Sequence, residues 1–204
     1  MSASTPPRLA PLTSEDLSDD GRELLRGHLA VADRYLTGAP DAPPMPGILG
    51  LLGHHPRLAA NWLALSGGIL DDPVLDPRDR ELLILRVGWR TRCRYEWAQH
   101  VQMGGRVGLS EDEIMAIAED SLLALWSDRD RDLLNAVDQM IDDRRIEDGT
   151  WNRLADHFDE RELLEMLFVV GTYLCLALVL NSVGLEPDSV PDDPVSLSRF
   201  EERQ

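Results

Sequence analysis

Apolar residues in this chain recur at intervals of three and four, and this spacing restricts the fold more than any other feature. Val, Ile and Thr are scattered among Leu, Ala, Arg and Glu, and no segment alternates apolar with polar side chains as a half-buried strand does. Helix-capping patterns occur at residues 13–16 and again at residues 110–113. The sequence therefore predicts an all-α fold of about seven or eight helices.

The charge balance excludes several classes of partner. With 204 residues the chain suits one domain or two related halves, and its formal net charge of −17 argues against nucleic acid and anionic membrane surfaces. The two cysteines, Cys93 and Cys175, are too few for a disulfide scaffold, and the first residues hold no apolar signal core. We expect a cytoplasmic protein that binds a small molecule, with no nucleic acid or membrane partner.

Composition divides the chain into three predicted segments. Residues 1–47 form a helix to about Tyr35 followed by a proline-rich arm over 38–47, which is either a connector or a lid. Residues 48–185 form the main helical domain, and residues 186–204 form a polar tail. The most hydrophobic run, 166–180, is too short to cross a bilayer comfortably, so we expect a fully buried helix or an oligomer interface there.

Residues 80–100 concentrate the side chains that can do chemistry. On one helix, Cys93, Glu96 and His100 stand at i, i+3 and i+7 and share a face. Thr91 is a plausible N-cap, which places Cys93 in a first turn, where the helix dipole and two neighbouring arginines favour a thiolate. Glu81 lies on the preceding helix, which we expect to be antiparallel. These four residues are the candidate catalytic set.

The spacing of these residues resembles a known signature. Glu81, then Cys93 twelve residues on, then Cys-Arg-Tyr-Glu-Trp-Ala-Gln-His ending at His100, is similar to the carboxymuconolactone decarboxylase and alkylhydroperoxidase D-like superfamily. The peroxidase branch has Cys-x-x-Cys, whereas Glu96 holds the second cysteine position here, in a Tyr-Glu-Trp form similar to the decarboxylase branch. The resemblance implies an alkylhydroperoxidase D-like helical bundle and a homo-oligomer, a dimer, trimer or hexamer.

The first functional hypothesis is acid–base chemistry on side chains alone, decarboxylation or proton transfer on a small unsaturated lactone or keto acid. The sequence offers no phosphate loop and no metal set, so we predict no cofactor and no metal; His54 and His55 lack further ligands and suit a surface or capping role. His100 is the natural general acid, which Glu81 orients by resemblance to the family. Candidate substrate-binding residues are Arg86, Arg90, Tyr95 and Trp62.

Two alternatives remain open. A thiol peroxidase would use Cys93 and needs a resolving thiol, and we expect Cys175 to lie in the core instead. A non-catalytic, ligand-binding variant of the fold is the third hypothesis. Structural roles also compete at individual positions, since Glu96 could pair with Arg92 or Arg94, and Tyr95 could be a core aromatic that positions its helix.

The second half of the chain partly repeats the first. Asp-Arg-Asp-Leu-Leu at 130–134 echoes Asp-Arg-Glu-Leu-Leu at 79–83, and the cap at 159–162 echoes the cap at 110–113. This pattern indicates an internal duplication whose second copy lacks counterparts of Cys93 and His100.

Overall fold

The computed structural model describes residues 6–39, 41–118 and 125–188, and these residues form helices and loops without a strand. The all-α prediction is confirmed. The ten described helices are α1 (Asp19–Leu25), α2 (Ala30–Asp33), α3 (Gly47–Leu52), α4 (Pro56–Leu70), α5 (Pro77–Arg90), α6 (Arg94–Arg106), α7 (Glu111–Ala118), α8 (Asp128–Asp142), α9 (Asp148–Ala155) and α10 (Glu160–Val183).

The described residues group into two compact units. One comprises residues 6–73 and 182–188, and the other comprises residues 74–181. The core of the first unit is built largely from leucines, with Leu25 and Leu36 completely buried. The candidate catalytic residues all belong to the second unit. The segment boundaries that we predicted between residues 47 and 48, and between residues 185 and 186, stay predictions.

The single long first helix was a wrong prediction. Thr13 and Asp16 do exchange hydrogen bonds in the manner of a cap, but the helix begins only at Asp19, with Ser18 as its N-cap. Gly27, with φ of 78°, then separates α1 from α2. The described residues of the proline-rich arm precede α3 without helical structure, as expected, and the 189–204 part of the predicted tail lies outside the described residues.

Both histidines before α4 have the local role that we expected. His55 is the N-cap and accepts a hydrogen bond from the N–H of Leu58, and His54 Nε2 lies 2.8 Å from the carbonyl oxygen of Ala10. Trp62, a candidate substrate-binding residue, lies partly buried on α4 in the first unit.

Helix α5 is the central helix of the second unit. Every residue from Glu81 to Trp89 is buried, because α5 packs against α6, α7 and α8. Arginine–aspartate ion pairs join α5 to α8, and they are Arg78–Asp130, Arg129–Asp79, Arg86–Asp138, Arg90–Asp138 and Arg90–Asp142. The first two pairs are reciprocal, with each helix supplying one arginine and one aspartate at equivalent positions.

This reciprocity supports the internal duplication. The hairpin of α5 and α6 corresponds to that of α8 and α9, and each first helix is followed by an arginine with positive φ, Arg92 at 54° and Arg144 at 66°. Capping bonds also recur, from Ser110 N–H to Glu113 and from Asp159 N–H to Glu162. The residues that precede α7 and α10 therefore form the same type of helix start.

Helix α10 is not the fully buried helix that was one of our two expectations for residues 166–180; the other, an oligomer interface, stays a prediction. One side of it is buried, but Leu164, Phe168, Leu178 and Val179 are exposed. Cys175 is also exposed, so its assignment to the core was wrong. Within the described part of the chain α10 is long and apolar enough to cross a membrane by length and composition, a test that the core helices of soluble proteins also pass.

Candidate active site

The turn between α5 and α6 fixes the position of Cys93. Thr91 is the C-cap of α5, and its hydroxyl donates to the carbonyl of Val87, so its prediction as an N-cap was wrong. Arg92 adopts the left-handed conformation, and the N–H of Cys93 donates to the carbonyl of Gly88 at 2.9 Å. Together with the bond from the N–H of Arg92 to the carbonyl of Trp89 at 3.1 Å, the Cys93 bond forms a Schellman motif. Cys93 is consequently the N-cap of α6 and precedes its first turn.

Helices α5 and α6 lie close together at Gly88. A Cβ atom at this position would lie 3.4 Å from the backbone nitrogen of Trp97 and 3.7 Å from the Cβ of Glu96. The ring of Trp97 in turn packs against that of Trp89, with centroids 5.5 Å apart. This packing buries the face of α6 that holds the candidate residues.

The hairpin brings Glu81 and His100 together. His100 Nδ1 lies 2.7 Å from Glu81 Oε2, and both side chains are buried, with 9% and 3% of their surface exposed. A carboxylate at Nδ1 fixes the orientation of the ring and directs Nε2 away from Glu81. Nε2 makes no hydrogen bond to any described residue, so it is available to a substrate.

Cys93 lies in an environment that opposes thiolate formation. Its side chain is completely buried, and this burial, together with the neighbouring Glu96 carboxylate, raises the pKa of the Cys93 thiol well above its usual range. Hydrogen bonds from the N–H groups of Glu96 and Tyr95 act in the opposite direction and are weaker. The thiolate that we expected from the helix dipole is therefore not favoured, because burial outweighs the dipole.

Glu96 is a buried carboxyl group without a hydrogen-bond partner among the described residues. It is 2% exposed, and neither carboxylate oxygen is hydrogen-bonded, so the pairing with Arg92 or Arg94 that we considered is not formed. Burial raises the pKa of Glu96 well above its ordinary value, although its contact with Cys93 lowers it slightly. Burial thus favours the protonated form of Glu96, beside a thiol whose neutral form is likewise favoured.

Tyr173 on α10 is a site residue that sequence reasoning missed. Its ring meets that of His100 edge to face, with centroids 5.0 Å apart. Burial, and then the charges of Glu81 and Glu96, raise the pKa of the Tyr173 hydroxyl, which stays protonated throughout the neutral range. The sequence did offer one signal, a lone tyrosine in an apolar helix. A buried tyrosine hydroxyl needs a polar neighbour, so its presence there indicates a polar group nearby.

Arg80 is the second residue that the sequence did not single out. Its Nε lies 3.7 Å from Glu81 Oε1, and the side chain is 11% exposed. Nε and Nη1 are buried and make no hydrogen bond within the described parts of the chain. A buried guanidinium with donors to spare beside Glu81 and Tyr173 can accept an anion.

Arg86 and Arg90, which we predicted to bind substrate, have other partners. Arg86 forms a bidentate ion pair with Asp138 and donates to the carbonyl of Ile117. Arg90 bonds to Asp138 and Asp142. Both arginines thus join α5 to α8. Tyr95 is buried at the start of α6, which fits the core role that we weighed for it; its contact with substrate, like that of Trp62, stays a prediction.

The site therefore combines an oriented imidazole, a neutral carboxyl, a neutral thiol, a phenol and a guanidinium. No cluster of three or more potential metal ligands occurs within the described ranges. These groups can transfer protons and stabilise an anion.

Known proteins resemble this chain in a family domain and in fold. Residues 56–139 match the carboxymuconolactone decarboxylase family. No curated protein matches the chain in sequence. A peroxidase-related protein of Ralstonia eutropha JMP134, described as an alkylhydroperoxidase AhpD core, has a TM-score of 0.73 at 17% identity over 92% of this chain and 95% of that chain.

Two further structures are similar over nearly their whole length. A peroxidase-related protein of Silicibacter sp. TM1040 has a TM-score of 0.70 at 17% identity, covering 98% of this chain and 99% of that chain. A variant of the debrominase Bmp8 in complex with 2,3,4-tribromopyrrole has a TM-score of 0.71 at 14% identity, covering 98% of both chains. At these identities the likeness establishes the fold. The family match within residues 56–139 and the AhpD-like fold of these neighbours both support the resemblance to the superfamily of carboxymuconolactone decarboxylase and AhpD-like proteins.

Proposed function

We propose that this protein is an enzyme of the decarboxylase-like type that performs cofactor-free acid–base chemistry on a small unsaturated lactone or keto acid. The observation that carries the proposal is the buried pair of His100 and Glu81, which leaves Nε2 of the imidazole open. A general acid–base residue needs an oriented ring and a free nitrogen, and this pair supplies both.

The proposed reaction needs only groups that the chain contains. When the bond to a substrate carboxyl group breaks, its electron pair moves into a conjugated carbonyl and gives an enolate, and CO2 leaves. Protonated His100 then donates its Nε2 proton to carbon, and the electron pair returns to form the new C–H bond. Glu81 stabilises the imidazolium before this transfer, and solvent restores the proton afterwards. Substrates that exchange a proton without losing CO2 would use the same two residues.

Two further groups suit the charges of such a reaction. The Tyr173 hydroxyl remains a donor at neutral pH and lies beside His100, so it can stabilise the enolate oxygen. Arg80, rather than Arg86 or Arg90, has unspent donors for a substrate carboxylate. The raised pKa values of Glu96 and Cys93 favour their neutral forms, so these side chains would line the site without adding negative charge to it.

Thiol peroxidase chemistry has weaker support. Attack on peroxide needs a thiolate, whereas burial and Glu96 both raise the pKa of Cys93. By resemblance, Glu96 also stands where the peroxidase branch keeps the second cysteine of Cys-x-x-Cys. Peroxidase activity and the non-catalytic, ligand-binding variant remain the alternatives that the experiment must separate from acid–base catalysis.

The test is proton exchange in D2O with a panel of unsaturated lactone acids and keto acids, followed by NMR, with CO2 release measured in parallel. We expect His100→Ala to lose about 100-fold or more of either activity, the usual contribution of a general acid–base group. His157→Ala is the matched control, because His157 is an exposed histidine of the same unit.

Peroxide reduction with a dithiol donor is the second arm. Fast turnover that Cys93→Ser abolishes and Cys175→Ser preserves would contradict the acid–base proposal. If the wild type converts a panel member and His100→Ala converts it at the full rate, the acid–base proposal is also contradicted. Binding of panel members without exchange, CO2 release or peroxide turnover would favour the ligand-binding variant.

A further inference from the structure

The candidate active site holds buried donors that have no acceptor in the described parts of the chain. Arg80 Nε and Nη1 are buried and make no hydrogen bond there, and neither carboxyl oxygen of Glu96 has a partner. Burial favours the protonated form of Glu96 and of Tyr173, so both are donors as well. Buried donors in proteins are normally paired. A ligand at this site therefore has to supply acceptor oxygens.

These donors are spread along the hairpin of α5 and α6. Arg80 precedes Glu81 on α5, Glu96 precedes His100 on α6, and the two helices are antiparallel, so Arg80 and Glu96 lie on opposite sides of the pair of His100 and Glu81. Four residues separate Glu96 from His100, about 6 Å of helix. The Tyr173 hydroxyl lies within the electrostatic reach of Glu81, Glu96 and Arg80. A ligand across the site meets a guanidinium at one end and a carboxyl group at the other.

The charges of the site suit one anion. The positive charge of Arg80 lies 3.7 Å from the negative charge of Glu81, which also bonds to His100. In the proposed function, on which this charge count rests, His100 is protonated. Since burial favours the neutral forms of Glu96 and Cys93, these groups together carry one positive charge. One ligand carboxylate neutralises it, whereas a second would be a buried charge without compensation, which is costly.

The two ends of the site suit different groups. A guanidinium binds a carboxylate through parallel N–H bonds, which are stronger than its bonds to a neutral oxygen. At the other end, the protonated carboxyl of Glu96 and the hydroxyl of Tyr173 can each donate to a carbonyl oxygen. A ketone, ester or lactone carbonyl accepts these bonds without adding a charge.

We propose that the site takes ligands with one carboxylate and one neutral carbonyl oxygen, that Arg80 binds the carboxylate, that Glu96 and Tyr173 bind the carbonyl oxygen, and that dicarboxylates are rejected. The lactone acids and keto acids of the proposed function are thereby narrowed to those with a single carboxylate, whether the reaction releases CO2 or only transfers a proton.

The first test compares three probes that differ in charge. Succinate, its monomethyl ester and its dimethyl ester carry two, one and no negative charges at neutral pH, and none of them reacts with thiols. Binding to the full chain is followed by the imidazole NMR signals of His100, which are assigned among the five histidines by their loss in His100→Ala. We expect the monoester to bind at least about tenfold more tightly than either of the others.

The second test removes the guanidinium. Arg80→Met should lose the preference for the monoester over the diester, whereas Arg106→Met, at an exposed arginine of α6 in the same unit, should keep it. Arg80→Lys serves if the methionine variant does not fold. Lysine keeps the charge but lacks the parallel N–H groups, so the preference should fall without disappearing. An unchanged preference in both Arg80 variants would overturn the assignment of the carboxylate to Arg80.

Glu96→Gln tests the other end of the site. Glutamine is neutral, like the protonated carboxyl, so the three probes should keep their order of affinity. If succinate binds to this variant as tightly as the monoester, then an ionised Glu96 excludes the second carboxylate in the wild type, and our charge count is wrong.

The proposed reaction and the preference for one carboxylate can fail separately. Binding of the monoester at His100, without proton exchange or CO2 release from any panel member, would contradict the reaction and support the preference. Turnover of dicarboxylates ahead of monocarboxylates would support the reaction and overturn the preference. Tighter binding of succinate, equal binding of all three probes, or unchanged His100 signals with every probe would also overturn it.

Discussion

Replacement of Glu96 by Gln should stabilise the protein by an amount that grows with pH. In the unfolded chain this carboxyl ionises near pH 4.3, whereas burial without a hydrogen-bond partner keeps the folded carboxyl protonated to higher pH. Between those two pKa values the native state binds one proton more than the unfolded state. The free energy of unfolding of the wild type therefore falls as pH rises through this window.

The magnitude follows from one proton. Linkage gives a slope of about −1.4 kcal/mol per pH unit for a group that is protonated in the native state and ionised in the unfolded state. This contribution to stability is fully present below the unfolded pKa and is lost as pH rises through the folded pKa. Glutamine has nearly the shape of the protonated acid and does not titrate. We expect Glu96→Gln to gain on the wild type at about this slope as pH rises above the unfolded pKa, until the folded carboxyl ionises.

The assay is urea unfolding, followed by far-ultraviolet circular dichroism, across a pH series. Glu113→Gln is the control. Burial acts to raise the pKa of Glu113, but hydrogen bonds from Ser110 and Arg78 outweigh it and lower this pKa. The difference in free energy of unfolding between Glu113→Gln and the wild type should therefore not change with pH above pH 5. A flat difference for Glu96→Gln over the same range would show that the folded carboxyl is ionised, and would refute our assignment of a neutral acid beside Cys93.

Two further predictions concern burial. Arg86→Met should cost about 3 kcal/mol in urea unfolding, because it removes both bonds of the buried guanidinium to Asp138 and leaves the buried carbonyl of Ile117 without its donor. Arg90→Met, at a more exposed position and with Asp138 still bonded to Arg86, should cost about 1 kcal/mol or less; equal costs would contradict this ranking. In a Cys175→Ser background, Cys93 should react with iodoacetamide at least about 100-fold more slowly than a peptide cysteine, and at the ordinary rate in urea; fast reaction in the native protein would indicate an accessible thiolate.

The helical fold could be predicted from local spacing, whereas the meeting of Glu81 with His100 was expected from the resemblance to the family and is explained by the antiparallel hairpin. A short turn between two helices forces them to run antiparallel, and residues at matching distances from the turn then come together. The environment of Cys93 could not be predicted in the same way. Whether a thiol before a helix is stabilised as a thiolate depends on its burial, which is set by packing between α5 and α6.

Other differences arise from contacts between distant segments. We assigned Arg86 and Arg90 to substrate because their aspartate partners are distant in the sequence, on α8. The two arginines are four residues apart, as are Asp138 and Asp142, and this equal spacing could have indicated the pairing. Tyr173 was hidden by a helix that is apolar on all sides, since such a sequence does not indicate which face turns inward.

The arginine–aspartate pairs join α5 to α8, whereas the neighbouring pair of His100 and Glu81 joins α5 to α6. Sliding α5 along α8 by one turn would break Arg78–Asp130 and Arg129–Asp79 at once, so these two helices hold a single register. In mechanical terms α8 is a rigid support for α5. The Glu81 carboxylate therefore keeps a fixed position from which it bonds to His100.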